Sequence, residues 1–261
     1  MKPTVLVLHL PGTNRDHDVA EACALAGGKP VILGIDSFIT GDEQLSTYQM
    51  LVLPGGFSYG DDLGAGRVWA ATLRHQLRDQ MSQFVASGKP VLGICNGFQA
   101  LIKAGLFPLD DGAVWSENRP ATLTHNASGK FECRWVELEP NPESPCVFTK
   151  GLKETILCPV AHGEGRVVAR GQDELAQLER QHQVALRYSS SDGQAVSYPA
   201  NPNGADNHIA AICNAAGNVM GMMPHPEDHI WPSQHPGVHR GLKGHTGLAL
   251  FENGIRYAAQ L

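Results

Sequence analysis

The chain has 261 residues, 42% of them hydrophobic and 18% charged, with a formal net charge of −6. Those values describe an ordinary folded protein, long enough for one α/β domain with insertions over residues 1–261. The acidic balance and the lack of a Lys/Arg run exclude the footprint of a nucleic-acid binder, and the N-terminal apolar run at 5–10 is too short to cross a membrane or serve as a signal core.

In the first half, short β-branched runs alternate with helical patterns, which predicts a mostly parallel, doubly wound sheet. Thr4-Val5-Leu6-Val7-Leu8 reads as a buried strand, 16–26 as a helix ending at Gly27-Gly28, and Val31-Ile32-Leu33 as a second strand. Met50-Leu51-Val52-Leu53 is a third strand, stopped by Pro54-Gly55-Gly56. One helix is expected over much of 69–86, then a strand at 91–94 and a helix over 96–103. From Ser116 the texture changes. Phe131-Glu132-Cys133-Arg134-Trp135-Val136-Glu137-Leu138 alternates like a half-exposed strand, which points to an antiparallel β insertion. A short helix is expected at 174–182, a hairpin from 209–213 and 219–222 around Asn214-Ala215-Ala216-Gly217-Asn218, and a last helix at 247–259. The six cysteines are scattered without a Cys-x-x-Cys pair, which fits reduced thiols in the cytoplasm.

The most informative stretch is Lys89-Pro90-Val91-Leu92-Gly93-Ile94-Cys95-Asn96-Gly97-Phe98-Gln99. A buried strand that ends at Gly-x-Cys-x-Gly and runs straight into a helix is the cysteine form of a nucleophile elbow. A thiol at a helix N-terminus feels the positive end of the helix dipole, which favours the reactive thiolate. The alternative on the local pattern alone, that Cys95 is a small hydrophobe closing a core strand, is the weaker of the two readings. A thiol nucleophile needs a base, and the base an orienting group. Met222-Met223-Pro224-His225-Pro226-Glu227 offers both directly after an apolar run: His225 as general acid and base, Glu227 to hold its tautomer. Backbone N–H groups of the Gly55-Gly56 turn and of Asn96 are candidates for an oxyanion hole, with Gly56 and Asn96 the expected donors.

With these residues in place, the chain resembles the class I (triad-type) glutamine amidotransferases. Pro54-Gly55-Gly56-Phe57-Ser58-Tyr59-Gly60-Asp61, Cys95-Asn96-Gly97-Phe98-Gln99, Pro159-Val160-Ala161-His162-Gly163-Glu164-Gly165 and Gly221-Met222-Met223-Pro224-His225-Pro226-Glu227 stand in the order of one subfamily, the glutaminase subunits of phosphoribosylformylglycinamidine synthase. The resemblance implies that Cys95 attacks the carboxamide of glutamine and releases ammonia, with Phe57 and Gln99 helping to hold the substrate. It implies a partner synthetase subunit that uses ATP and Mg, a small accessory subunit, and no cofactor in this chain. His162 and Glu164 are expected at the mouth of the site or at the synthetase contact. The stretch 228–246 holds His229, His235, His239 and His245, but in no standard zinc spacing, so no metal is expected.

Overall fold

The computed structural model describes residues 2–109, 112–190, 195–241 and 244–261. Its parallel part is built from β1 (Thr4–His9), β2 (Lys29–Gly34), β3 (Met50–Leu53) and β4 (Val91–Ile94), interleaved with α1 (Asp16–Leu25), α2 (Asp36–Ile39), α3 (Arg67–His75) and α4 (Arg78–Ala86). After α5 (Asn96–Ala104) come β5 (Ala121–Thr124), β6 (Glu132–Pro140), β7 (Ile156–His162), β8 (Arg166–Ala169), α6 (Gln172–Arg180) and β9 (Val184–Ser189). The chain closes with β10 (Ile209–Cys213), β11 (Val219–Met222) and α7 (Leu248–Ala258).

One sheet of nine strands runs β2-β1-β3-β4-β11-β10-β9-β6-β7, and β5 pairs with β8 in a separate ladder. The first five strands are parallel neighbours; from β11 onward every pairing is antiparallel. The expected parallel sheet and antiparallel insertion are therefore both present, and the insertion continues the same sheet. β3, β4 and β11 are buried on both faces, which is why they read as unbroken apolar runs. α1 and α7 pack with each other and on β1 to β3, while α3, α4 and α5 form the second helical group.

The expected single helix over 69–86 is two. The backbone leaves helical geometry at Leu77 (φ −113°, ψ +13°), and that side chain is buried, as Leu73 and Met81 are, so the break keeps Leu77 in the core. No Gly or Pro marks the break in the sequence. The helix expected to end the chain and the 209–222 hairpin are present with bounds shifted by a residue or less.

Register decides where the site falls. Leu53 pairs with Gly93, and Ile94 with Met222, so the carboxyl ends of β3, β4 and β11 lie side by side. Each strand then delivers its own turn to that edge: Pro54-Gly55-Gly56, Cys95, and Pro224-His225. β7 stands five places from β4 in the sheet, about 24 Å away were the sheet flat. Instead, His225 N donates to Pro159 O at 2.8 Å, and Cys95 Sγ lies 3.8 Å from Ala161 O. The sheet curls so that its far edge returns to face the elbow.

The turn after β4 depends on close approach. A Cβ on Gly97 would sit 2.0 Å from the carbonyl oxygen of Leu53, a backbone atom that cannot move aside. Gly97→Ala is therefore expected to destabilise the protein by about 3 kcal/mol or more in urea unfolding. Gly34→Ala, where nothing lies within 4 Å, should cost under about 1 kcal/mol. Equal effects of the two substitutions would show that the elbow does not need this contact.

Candidate active site

Cys95 occupies backbone that L residues rarely adopt, φ +48° and ψ −102°, as the residue preceding α5. Strain of that kind costs on the order of 1–3 kcal/mol and persists only where neighbours enforce it. Here Cys95 N donates to Met222 O at 2.8 Å, and Cys95 O accepts from Gln99 N at 2.9 Å, so the residue is pinned to β11 on one side and to its own helix on the other. The side chain is 5% exposed, and all six cysteines are free thiols.

His225 is 3% exposed and Glu227 is 1% exposed. His225 Nδ1 and Glu227 Oε1 are 2.7 Å apart, so the imidazole donates to the carboxylate and is held in one tautomer. His225 Nε2 is buried and makes no hydrogen bond of ordinary geometry; the Cys95 sulfur is what faces the ring electrostatically. Burial alone would lower the pKa of His225. The charges of Glu227 and of an ionised Cys95 outweigh it and raise His225 well above the ordinary imidazole range. A ring held protonated beside a buried carboxylate and the Cys95 sulfur has a proton ready to give. Asp228, the next residue, is pushed up to about 6 by burial and by the Glu227 charge, although it is ion-paired with Arg15 at 3.2 Å.

The floor of the site comes from the turn after β3. A Cβ on Gly55 would lie 2.6 Å from His225 Cε1, so only glycine lets the imidazole rest on this turn. Gly56, with φ +143°, is bridged to Thr13, and Phe57 N donates to Gly12 O at 2.9 Å. Asn96 opens α5, where the first N–H groups have no acceptor within the helix. Phe57 is 47% exposed and stacks on Phe131, with ring centroids 6.5 Å apart, at the rim.

A polar chain ties this floor to the opposite wall. The side-chain oxygen of Asn96 accepts from Ser58 N at 3.0 Å, and its nitrogen donates to Asp61 Oδ1 at 3.1 Å and to Gln99 Oε1 at 2.9 Å. Gln99 Nε2 in turn donates to Glu164 O at 2.7 Å. Both ends of the Gln99 amide are thus engaged by protein. Lys103 donates to Ala65 O and lies 3.5 Å from Glu164 Oε2. The 162–165 block, expected at the mouth of the site or at a synthetase contact, lies along one wall of the site: Ala161 O faces Cys95, and His162 is buried near enough to His225 to feel its charge. Asn126 fixes that wall, its side chain bonded to His162 O, His162 Nδ1 and Gly165 N.

Asn126, Ser58 and Lys103 were not singled out from the sequence. Lys103 had a usable signal, because Asn96, Gln99 and Lys103 stand at i, i+3 and i+7 on one helix face. Asn126 had none; its place follows from β5 packing beside β8. Among the described residues one group of three metal-competent side chains occurs, His225, Glu227 and Asp228, with donor atoms within 4.8 Å of one another. In it His225 Nδ1 is already bonded to Glu227. In the 228–246 stretch, whose residues 242 and 243 lie outside the described residues, His229 and His235 meet the Trp135 ring edge-on, with ring centroids 5.1 and 4.3 Å apart. No helix among the described residues is long and apolar enough to cross a membrane.

Residues 2–258 match the family model of the CobB/CobQ-like glutamine amidotransferase domain. The chain is 44% identical to phosphoribosylformylglycinamidine synthase subunit PurQ of Treponema denticola, over 98% of this chain and 99% of that protein. It is 42% identical to the subunit of the same name from Dehalococcoides mccartyi, over 100% and 99%. Among solved structures it resembles a chain of PurLQS from Thermotoga maritima, with TM-score 0.72, 34% identity, and 98% and 99% coverage. A putative GMP synthase protein from Thermoplasma acidophilum shares the fold, with TM-score 0.59 at 16% identity over 100% and 96%.

Burial, and then the charge of His225, pull the pKa of His162 down to about 4. The native state therefore binds fewer protons than the unfolded chain between pH 6.5 and about 4, so this residue's contribution is intact above pH 6.5 and is lost as pH falls through that window. The loss amounts to about 3 kcal/mol. The stability difference between the parent and His162→Gln should shrink across this window when urea unfolding is followed at successive pH values. A difference independent of pH would mean that His162 titrates normally.

Proposed function

This chain belongs to the CobB/CobQ-like glutamine amidotransferase family, and we propose that it is the glutaminase subunit of a phosphoribosylformylglycinamidine synthase, acting in the cytoplasm as a single amidotransferase domain over 1–261. The observation that carries the reading is the strained Cys95 turn facing a buried His225–Glu227 pair, in a chain related over nearly its whole length to subunits of that name.

Cys95 Sγ adds to the carboxamide carbon of glutamine, and the thiol proton resides on His225. The oxyanion that forms accepts from the backbone N–H groups of Gly56 and Asn96. As the C–N bond breaks, His225 gives its proton to the leaving nitrogen, and ammonia departs, leaving a glutamyl thioester on Cys95. Water then attacks the thioester; His225 takes the water proton and returns it to the sulfur, releasing glutamate. Glu227 keeps His225 in the tautomer that serves both steps and stabilises the imidazolium. Phe57 covers the substrate at the rim. Gln99 acts through its bonds to Asn96 and Glu164, which hold the elbow and the wall at a fixed spacing. This chain supplies no cofactor and no metal in the scheme. The ammonia passes to a partner synthetase subunit, assembled with a small accessory subunit, that uses ATP and Mg to convert formylglycinamide ribonucleotide to its amidine.

Cys95→Ala in the assembled complex should lower glutamine-dependent synthesis by about 10⁴-fold or more while sparing synthesis fed with free ammonia. Glutamate release and amidine formation, measured together, check this. Loss of both activities in a folded complex would assign Cys95 to assembly, and a complex in which this chain releases no glutamate even with synthetase substrates present would refute the assignment.

A further inference from the structure

On the far side of the 164 wall from Cys95 lies a cavity of about 650 Å³ between α3, the end of α5 and β5. Four basic side chains line it, Arg67, Arg74, Lys103 and Arg119, against one carboxylate, Glu164. This is a local excess of positive charge on a chain whose net charge is −6. The nearby carboxylates are already engaged: Glu164 by Lys103, and Glu117 by Arg74 and Arg78. Arg119 spends one nitrogen on a backbone carbonyl, Lys103 O at 2.7 Å. Arg67 is exposed and has no carboxylate partner among the described residues. The hydroxyl-bearing strand residues Thr122 and Thr124, just after Arg119 in the chain, also line it.

We propose that this cavity binds a small phosphate-bearing anion. The volume falls within the range of small-molecule sites. Guanidinium groups contributed by α3 and by the segment leading into β5, together with threonine hydroxyls, match the several equivalent oxygens of a phosphate better than the two of a single carboxylate. Burial pushes the Lys103 ammonium below its usual range; Glu164 offsets part of that shift and Arg67 adds to it, so some repulsion between the two cations remains. A bound anion relieves that repulsion. An extended acidic peptide fits less well, because the positive groups converge in a concavity instead of running along a surface. This inference does not rest on the glutaminase assignment.

The test is calorimetric titration of the full chain, free of Mg, at low ionic strength of about 0.05 M, with inorganic pyrophosphate, with ATP, and with heptaglutamate as a carboxylate polyanion. Saturable binding of pyrophosphate or ATP is expected, weakening as salt is added, and about tenfold or more weaker in the Arg67→Gln/Arg119→Gln double variant. Tighter binding of ATP than of pyrophosphate would mean that the nucleoside is read as well; equal binding would mean that phosphate alone is read. The melting temperature of the double variant, unchanged from the parent, separates lost binding from lost folding. If it falls, each arginine substituted singly should weaken binding at an unchanged melting temperature. The proposal is overturned if neither phosphate compound saturates, if binding is indifferent to both arginines, or if heptaglutamate binds more tightly than either, which would assign the cavity to an acidic segment of a partner.

Discussion

The rest of the structure depends on a strained backbone at Cys95, held where no unsupported chain would place it. The residue sits at φ +48° and ψ −102°. It stays there because Cys95 N is bonded to Met222 O and because Gly97 passes directly against the carbonyl of Leu53. Both supports come from strands that neighbour β4 in the sheet. The parallel order β3-β4-β11 therefore does two jobs: it builds the core, and it clamps the turn that presents the sulfur. The same register sets the His225 turn beside it, with the imidazole resting on Gly55.

The electrostatics of the site follow from its burial. His225 and Glu227 are both nearly inaccessible, and burying an ion pair costs free energy that the mutual attraction only partly returns. What the protein gains is a fixed tautomer and an imidazolium held ready beside a sulfur. His162, also buried, is driven the other way, first by its burial and then by the charge of the neighbouring His225. Two histidines of one site thus shift in opposite directions, and the difference follows from the direct bond of His225 to a buried carboxylate.

The antiparallel half of the sheet supplies the missing side of the site. By curling, it brings β7 to the elbow, and the bonds from Asn96 through Gln99 to Glu164 lock the two halves together. Lys103 extends the same link through Glu164 to the basic cavity. The cavity and the cysteine site are therefore separated by one shared wall.

Much of this was legible in the residues. The alternation of apolar runs and helical patterns determined a parallel α/β core, since a strand buried on both faces must be apolar throughout, and Gly-x-Cys-x-Gly determined the elbow, since no other residue type passes so close to Leu53. His225-x-Glu227 after an apolar run marked the imidazole and carboxylate that meet at 2.7 Å. The break at Leu77 was not legible, because burial of one leucine, and no helix-breaking residue, causes it. Nor was the return of the 162–165 block to Cys95, which depends on how far nine strands curl. The basic cavity was equally hidden: Arg67, Arg74, Lys103 and Arg119 form no run in the chain and converge only when α3 packs on α5. Local pattern by itself determined which backbone each segment adopts, because those preferences act over a few residues. Which side chains share a site was decided by the tertiary structure, because sheet curvature and helix packing sum over the whole chain.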